Sequence, residues 1–182
     1  LAICAEINRR NLQVEWSARG RIFLGREMAE ALVVSGCRRL HVGVESLDPA
    51  VLRWMHKGQD IEMIASFFAL CREFGIETLA YFMVGSPGET PEYRHRLPDL
   101  IRDLGVTYPY FNILYPLPHT EYYQGLLRDG TFKEDHWEAF ARNPQPDFEL
   151  PLPRPWGLQQ ELEEIVAGYI REFYGRVPQE AL

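Results

Sequence analysis

Polar residues follow the ends of two apolar segments, and their types suit ligand binding and proton transfer. Glu45 and Ser46 come directly after the alternating residues 39–44. Five further residues, Gly85-Ser86-Pro87-Gly88-Glu89, follow the apolar residues 81–84. Carboxylates and hydroxyls exchange hydrogen bonds with ligands, and glycines let the backbone approach closely. We expect the second group to be a functional turn, because ligand sites of α/β folds lie beyond the carboxyl ends of strands, with a plain connector as the alternative.

Four segments have the pattern of β-strands. Residues 12–19 and 39–46 alternate between apolar and polar side chains, which is typical of a strand with one polar face. Residues 78–85 are the most hydrophobic, as expected for a strand that is covered on both faces. Residues 110–115 form the fourth predicted strand.

Helices are predicted between these strands. Asp48, Asp60 and Thr90 are suitable N-cap residues, and a glycine ends each of three helices (Gly36, Gly75 and Gly105). Pro98 should kink or split the helix predicted over residues 91–104. The repeated order of strand, helix and glycine predicts parallel strands joined by right-handed crossovers. In such α/β folds the ligand site lies beyond the carboxyl ends of the strands.

Four strands predict a partial, half TIM-type βα barrel, because a closed barrel has eight strands and about 250 residues. Residues 1–120 are assigned to this barrel, and residues 121–182 to a helical, proline-rich extension packed on it. In the extension we expect helices over 121–128, 131–142 and 158–174, and an irregular connection over 143–155. The polar residues expected to line the barrel interior are Glu15, Ser17, Arg19, His41, Glu45 and Asn112.

Composition narrows the class of protein. The 182 residues carry a formal net charge of -7, which argues against binding to nucleic acid. No apolar run has the length of a membrane span, so we expect a soluble cytoplasmic protein without a membrane partner. Cys4, Cys37 and Cys71 stand far apart and are expected to be buried, and the five histidines show no metal-binding spacing. The sequence predicts no metal site within this chain.

A family resemblance rests on short motifs in a fixed order. They are Trp16 with Arg21, Ser35-Gly36-Cys37, Gly43-Val44-Glu45-Ser46, Val51-Leu52 with Lys57-Gly58, Gly75-Ile76, Gly85-Ser86-Pro87-Gly88-Glu89-Thr90, Pro116-Leu117-Pro118 and Phe173-Tyr174. Together they closely resemble the second half of a radical SAM domain. The resemblance is best with the subgroup that carries a cobalamin-binding domain upstream.

The resemblance implies a set of cofactors and partners. Radical SAM enzymes use a [4Fe-4S] cluster, held by three cysteines of a C-x-x-x-C-x-x-C loop, to cleave S-adenosylmethionine reductively to a 5′-deoxyadenosyl radical. An electron donor, a small-molecule substrate and cobalamin on an upstream domain are implied as well. The cluster loop of the family has no counterpart in residues 1–182. We therefore expect a fragment whose cluster ligands lie outside this chain and which is inactive alone.

The resemblance also assigns site residues. It implies that Glu45 and Ser46 contact the ribose or methionine part of S-adenosylmethionine, with an ion pair from Glu45 to Arg19 or Arg21 as the alternative. It places Gly85, Ser86, Pro87, Gly88 and Glu89 near the adenine and ribose. Arg21 could hold a carboxylate. Tyr115 and Pro116, at the end of a strand, could line the same cavity.

Three functions remain open at this stage. The first is a radical SAM enzyme for methyl transfer or oxidative ring closure, such as an anaerobic Mg-protoporphyrin IX monomethyl ester cyclase. The second is an ordinary βα-barrel lyase or hydrolase that uses Glu15, Glu45 and His41 as acids and bases. The third is a non-catalytic scaffold that presents the helix at residues 158–174 to a partner. An exposed edge at the strand with Trp16 could support a dimer.

Overall fold

The computed structural model describes residues 1–150 and 159–175. In these ranges four strands alternate with helices, and further helices follow. The elements are α1 (Ala2–Arg9), β1 (Trp16–Gly20), α2 (Arg26–Val34), β2 (Cys37–Glu45), α3 (Pro49–Trp54), α4 (Ile61–Glu73), β3 (Glu77–Val84), α5 (Pro91–Leu104), β4 (Tyr108–Ile113), α6 (Glu121–Arg128), α7 (His136–Arg142) and α8 (Gln159–Tyr174).

The strands form one parallel sheet in the order β1-β2-β3-β4. Its register pairs Val42 with Ala80 and Phe82 with Phe111. The α/β class and the partial TIM-type barrel with four parallel strands are therefore confirmed. Because all four strands run the same way, their carboxyl ends meet at one edge of the sheet, where a ligand site is expected.

The helix starts follow the predicted capping residues. Asp48 accepts hydrogen bonds from the amides of Ala50 and Val51 at 2.7 and 3.3 Å. Asp60 caps α4 in the same way, and so does Thr90 for α5. Each side chain satisfies an amide that the first helical turn leaves without a partner.

One face of the sheet carries most of the core. Val42, Val44, Ala80, Phe82 and Val84 are buried there, packed with residues from α2, α4, α5 and α8. On the opposite face the β3 residues Leu79, Tyr81 and Met83 are only half-buried. The expectation that β3 is covered on both faces is therefore wrong for the part of the chain that the structure describes. The half-buried face is the one that corresponds to a barrel interior.

The first strand is shorter than predicted, and this moves Glu15 away from the sheet. Pairing begins where Trp16 meets Cys37, because β2 has no earlier residue for residues 12–15 to pair with. Glu15 precedes β1 and forms an exposed ion pair with Arg38 at 3.0 Å. Ser17 and Arg19 are also exposed. Strand β1 is at one edge of the sheet, and dimerisation through this edge stays a prediction.

Pro98 does not split α5, so that part of the prediction is wrong, and a kink at this position stays a prediction. The helix runs unbroken over 14 residues with the proline inside it. A proline cannot donate to the carbonyl four residues earlier, which is that of Arg94. The hydroxyl of Tyr169 on α8 donates to this carbonyl at 2.6 Å. A side chain from another helix thus supplies the hydrogen bond that Pro98 cannot make.

The helices after β4 form two groups. Helices α6 and α7 pack through a small cluster that includes Tyr123, Leu126 and Phe132. Helix α7 starts later than predicted because Asp135 caps it, accepting from the amide of Glu138 and the hydroxyl of Tyr123. Helix α8 matches its prediction from residue 159 onward. Residue 158 and the connection over 151–155 lie outside the described residues.

Helix α8 packs on the sheet core with its apolar side. Leu162 and Tyr169 are buried, and Tyr169 and Phe173 contact the ring of Phe111. This apolar side is therefore covered, which disfavours its use as a surface for a partner protein. Across residues 1–150 and 159–175, no helix combines the length and the apolar character needed to cross a bilayer.

The two faces of the sheet should respond differently to truncation. We expect Phe82→Ala, on the buried face, to lower the free energy of unfolding by about 4 kcal/mol, because it removes a ring stacked on Phe111 and leaves a cavity. Tyr110→Ala, on the opposite face at 52% exposure, should cost less than about 1 kcal/mol. Urea denaturation measures both values. Equal losses would contradict this assignment of the faces.

Candidate functional site

A cavity of about 700 Å³ opens at the carboxyl ends of β2, β3 and β4. The strand ends contribute Glu45, Met83 and Leu114, and the loop after β3 contributes Pro87. Helix α6 forms the facing wall. The remaining lining residues are Trp54, Met55, His56, Lys57, Glu121, Tyr122, Gly125, Leu126, Arg128, Asp129 and Thr131. The cavity combines an apolar, aromatic wall with several charged groups, and its volume suits a ligand of moderate size.

Glu45 is held in an unusual backbone conformation at this edge. Its φ is 68°, in the left-handed region, and the ladder between β2 and β3 has a bulge between Gly43 and Glu45. A side chain in that region costs roughly 1–2 kcal/mol. The carboxylate folds back over Gly43, where an added Cβ would lie 2.3 Å from its Oε1 atom. Gly43 therefore makes room for the Glu45 carboxylate.

The loop after α3 stabilises this arrangement. Lys57 Nζ donates to Oε1 of Glu45 at 2.7 Å, and Gln59 donates to the carbonyl of Val44 at 2.7 Å. The alternative prediction, an ion pair from Glu45 to Arg19 or Arg21, is wrong, because Glu45 forms its ion pair with Lys57. Within the described residues, Oε2 of Glu45 accepts no hydrogen bond, and the side chain is 18% exposed. One carboxylate oxygen is thus free to bind a ligand.

Arg21 lies in a smaller cavity beside the first one. This cavity of about 320 Å³ is also lined by Gly43, Lys57 and Gly58. Lys57 borders both cavities, so it connects Arg21 to the surroundings of Glu45. The structure therefore brings Arg21 near the predicted site, although not into the main cavity.

The turn after β3 is organised by a buried carboxylate. Oε2 of Glu89 accepts from the amides of Gly85 and Ser86 at 3.0 and 3.2 Å, and Oε1 accepts from Arg94 at 2.5 Å. The Glu89 side chain is 1% exposed. Burial raises the pKa of this carboxyl, while Arg94 and the two amides act in the opposite direction. Glu89 therefore shapes the turn instead of reaching into the cavity.

Ser46 has a comparable internal role. It is fully buried, and its hydroxyl accepts from the amide of Asp48 and donates to the Tyr93 hydroxyl at 3.1 Å. The amide of Leu47 donates to the same Tyr93 oxygen at 2.7 Å. Burial raises the pKa of Tyr93 to about 12. This network joins the residues after β2 to helix α5.

The other residues of the turn differ in their surroundings. Pro87 lines the main cavity. Gly85 has a φ of 85°, and an added Cβ would lie 2.7 Å from Leu162 of α8. A Cβ atom added at Gly88 would meet no other atom within 4 Å. The hydroxyl of Ser86 is buried without a hydrogen-bond partner in the described part of the chain, which is a costly arrangement for a free polar group.

Tyr115 and Pro116 lie after β4 instead of ending it, because the strand stops at Ile113. Burial raises the pKa of Tyr115, with smaller contributions from Glu163 and Glu149. Pro116 is buried, and its carbonyl accepts from the Trp137 indole at 3.0 Å. Neither residue lines the main cavity, and Leu114 does so in their place.

Several cavity residues were not among the predicted site residues, notably Trp54, His56, Lys57, Met83, Leu114 and Tyr122. The Trp54 and Tyr122 rings meet edge to face with centroids 5.1 Å apart, although the residues are on α3 and α6. For Met83 the sequence did contain a signal, because a residue next to the carboxyl end of a predicted strand is expected near the ligand site. Nothing in the sequence pattern indicates that α6 folds over the strand ends.

The acid-base set of the lyase or hydrolase alternative is not assembled. Glu15 precedes β1 at the amino end of the sheet, whereas Glu45 ends β2 at the carboxyl edge. His41 lies within β2, where its Nδ1 atom is 3.4 Å from the Tyr81 hydroxyl. Burial lowers the pKa of His41, with smaller contributions from Arg19 and Arg39. The three groups therefore do not share one site.

The cysteines do not form a metal centre. Cys4, Cys37 and Cys71 are buried and free, as expected, and burial raises the pKa of Cys71 to about 12. Among the described residues, no group of three or more His, Cys, Asp or Glu side chains is arranged to hold a metal ion. These residues do not fit a [4Fe-4S] cluster.

Removing Arg94 tests the organisation of the turn. We expect Arg94→Met to lower the free energy of unfolding by about 3 kcal/mol at pH 7.5, because it leaves a buried carboxylate without its cation. Removing Arg94 raises the pKa of Glu89 in the folded variant further, because Arg94 acts to lower it. The loss of stability should therefore shrink as the pH falls, since protonation of Glu89 removes the unpaired charge. Urea denaturation between pH 5 and 8 measures this. Arg96→Met, at an exposed position of the same helix, is the control. A loss independent of pH would contradict this role of Glu89.

Comparisons with curated proteins identify related enzymes. The chain is 24% identical over 140 residues to an uncharacterized methyltransferase of Pyrococcus horikoshii, covering 76% of this chain and 30% of that protein. It is 29% identical over 118 residues to the bacteriochlorophyllide d C-12(1)-methyltransferase of Chlorobaculum tepidum, covering 63% of this chain and 26% of that protein. The chain thus spans less than a third of the length of these relatives.

Solved structures agree with these relatives. The radical S-adenosylmethionine methyltransferase TsrM from Kitasatospora setae, with cobalamin and a [4Fe-4S] cluster bound, superposes with a TM-score of 0.56 at 27% identity, covering 63% of this chain and 25% of that one. Another TsrM structure contains tryptophan substrate and a SAM analog. Coproporphyrinogen III oxidase from Escherichia coli, a radical SAM enzyme, shares the fold with a TM-score of 0.62 at 20% identity, covering 94% of this chain and 36% of that one.

A family model agrees with the motif order in the sequence. The model described as the radical SAM superfamily matches residues 1–101, which is more than half of the chain. The parallel sheet, the glycine turn after β3 and the cavity at the strand ends are consistent with this match. The chain belongs to the radical SAM superfamily.

Proposed function

We propose that this chain forms the part of a radical SAM methyltransferase that binds the nucleoside side of S-adenosylmethionine. The observation that carries the proposal is Glu45, which is held by Lys57 with one oxygen free at the edge of the cavity. Strained residues held in place by their surroundings concentrate at functional sites. The curated relatives named above and TsrM are methyltransferases and favour methyl transfer over the ring closure that the sequence left open, whereas coproporphyrinogen III oxidase, at 20% identity, shares the fold alone.

The residues of the cavity fit S-adenosylmethionine. Its ribose offers hydroxyl donors, for which the free Oε2 of Glu45 is a charged acceptor. Its methionine end carries a carboxylate, for which Lys57 and, in the neighbouring cavity, Arg21 are cationic partners. Met83, Pro87 and Leu114 supply apolar surface for the adenine ring. These assignments use six lining residues from the carboxyl ends of all four strands and the segments that follow them.

The cofactors supply the reactive chemistry, and the residues of this chain bind and orient them. The [4Fe-4S] cluster and an electron donor are proposed for the whole protein, with ligands outside the residues described. Cobalamin is proposed as well, supported by its presence in the TsrM structure.

The methyl acceptor is proposed to be a molecule with a flat, apolar ring. Trp54 is 38% exposed although it is a large apolar residue, and it lines the cavity together with Tyr122. Burial raises the pKa of Tyr122 to about 12, so its phenol stays neutral. An aromatic pair of this kind offers surface for stacking with a ring. The tryptophan substrate of TsrM supports an acceptor of this class.

Binding of S-adenosylhomocysteine, an unreactive analogue, tests the nucleoside site. We expect Glu45→Gln to weaken its binding by about tenfold or more, because a charge-assisted hydrogen bond to the ribose is replaced by a neutral one. Glu15→Gln is the matched control, because it also removes the carboxylate of an ion pair. That pair, with Arg38, lies at the amino ends of the strands, away from the cavity. Isothermal titration calorimetry measures the affinities. Equal affinities of the wild type and Glu45→Gln would contradict the proposal.

Indole tests the acceptor wall separately. We expect Trp54→Ala with Tyr122→Ala to abolish indole binding in saturation-transfer NMR, because the aromatic surface is removed. The affinity for S-adenosylhomocysteine should change by less than about threefold, since Glu45 and Lys57 are kept. Tyr110→Ala, which removes an aromatic ring from the half-buried sheet face, is the control. Indole binding that survives the double substitution would rule out this wall as the acceptor site.

A further inference from the structure

We propose that helix α8 sets the geometry of the turn at residues 85–89, and that Leu162 and Tyr169 are positioning residues for the nucleoside site. The inference rests on the proposed function of that turn and extends it to a helix near the end of the chain. Neither residue lines the cavity. They act through the backbone of the turn and through Arg94.

The first connection is a direct contact. Leu162 is buried, and its Cδ1 atom lies so close to Gly85 that an added Cβ would be 2.7 Å from it. Gly85 is the first residue after β3 and has a φ of 85°, which favours glycine. The side chain of Leu162 therefore packs against the backbone at the point where the turn leaves the strand.

The second connection runs through three hydrogen-bonded groups. The Tyr169 hydroxyl donates to the carbonyl of Arg94 at 2.6 Å. The Arg94 guanidinium donates to Glu89, whose other carboxylate oxygen accepts from the amides of Gly85 and Ser86. Tyr169 thus fixes the backbone from which Arg94 extends to the carboxylate that closes the turn.

Pro98 explains why this second connection involves a residue from another helix. A residue with an N–H at position 98 could donate to the Arg94 carbonyl within α5, but proline cannot. Tyr169 is buried, and its hydroxyl donates to that carbonyl. The proline that the sequence predicts to disrupt α5 therefore creates the docking point for α8.

The rest of α8 is anchored elsewhere, which provides a matched control. Phe173 packs on Phe111 of β4 and lies under the Arg102 guanidinium. Tyr174 donates to the carbonyl of Pro109 at 2.8 Å. These contacts attach the end of the helix to β4 and α5, and among the described residues neither Phe173 nor Tyr174 forms a hydrogen bond or ring contact with the turn. Phe173→Leu should therefore weaken the packing of α8 without changing residues 85–89.

Hydrogen–deuterium exchange of the ligand-free protein tests the positioning role. We expect Leu162→Ala and Tyr169→Phe each to speed exchange of the Gly85 and Ser86 amides by about tenfold, whereas Phe173→Leu leaves them unchanged. In the Pro98→Ala background, Tyr169→Phe should have a smaller effect, because the restored N–H can donate to the Arg94 carbonyl. Unchanged exchange in Leu162→Ala and Tyr169→Phe, or the same increase in Phe173→Leu, would overturn the proposal.

The affinity for S-adenosylhomocysteine tests whether the geometry of the turn affects the nucleoside site. We expect Leu162→Ala and Tyr169→Phe to weaken binding by about tenfold and Phe173→Leu to leave it unchanged. Faster exchange together with unchanged affinity would overturn the positioning role, although α8 would still stabilise the turn. A wild-type protein that does not bind this analogue would instead contradict the proposed function, and the exchange data would still report on the contact between α8 and the turn.

Discussion

The structure depends on one buried carboxylate in the turn after its third strand. Glu89 draws the amides of Gly85 and Ser86 into a turn, and its pairing with Arg94 ties that turn to helix α5. A buried charge is tolerated only when it is fully hydrogen-bonded, so these contacts fix each other's geometry. The glycine turn keeps its shape because its own glutamate, and not a ligand, satisfies its amides.

A second constraint acts at the neighbouring strand end. Glu45 adopts a left-handed conformation that an ordinary residue avoids, and Gly43, Lys57 and Gln59 compensate for it by space, charge and a hydrogen bond. Such an arrangement is costly for stability and is more readily explained by a role in binding. The hydrogen-bonded turn after β3 and the carboxylate of Glu45 at the end of β2 then border one cavity from two sides.

The sequence predicts the features that depend on nearby residues. Alternation and capping residues are local signals, so the order of strands and helices and the caps at Asp48, Asp60 and Thr90 could be predicted. The partners of the charged residues could not be predicted where they are distant in the sequence. Glu45 and Lys57 are brought together only when the loop after α3 folds back over β2, and Arg94 meets Tyr169 across 75 residues. Local signals at Pro98 predict a kinked or split helix, because the helix that supplies the missing hydrogen bond lies far along the chain.

The most direct test of the central claim is a footprint of S-adenosylhomocysteine by hydrogen–deuterium exchange. We expect protection at residues 43–46, 56–59 and 83–88, where the cavity and the positioned turn lie, and little change at the amino ends of the strands. Protection centred on the groove between α5 and α8, or on residues 11–15 beside β1, would contradict the account.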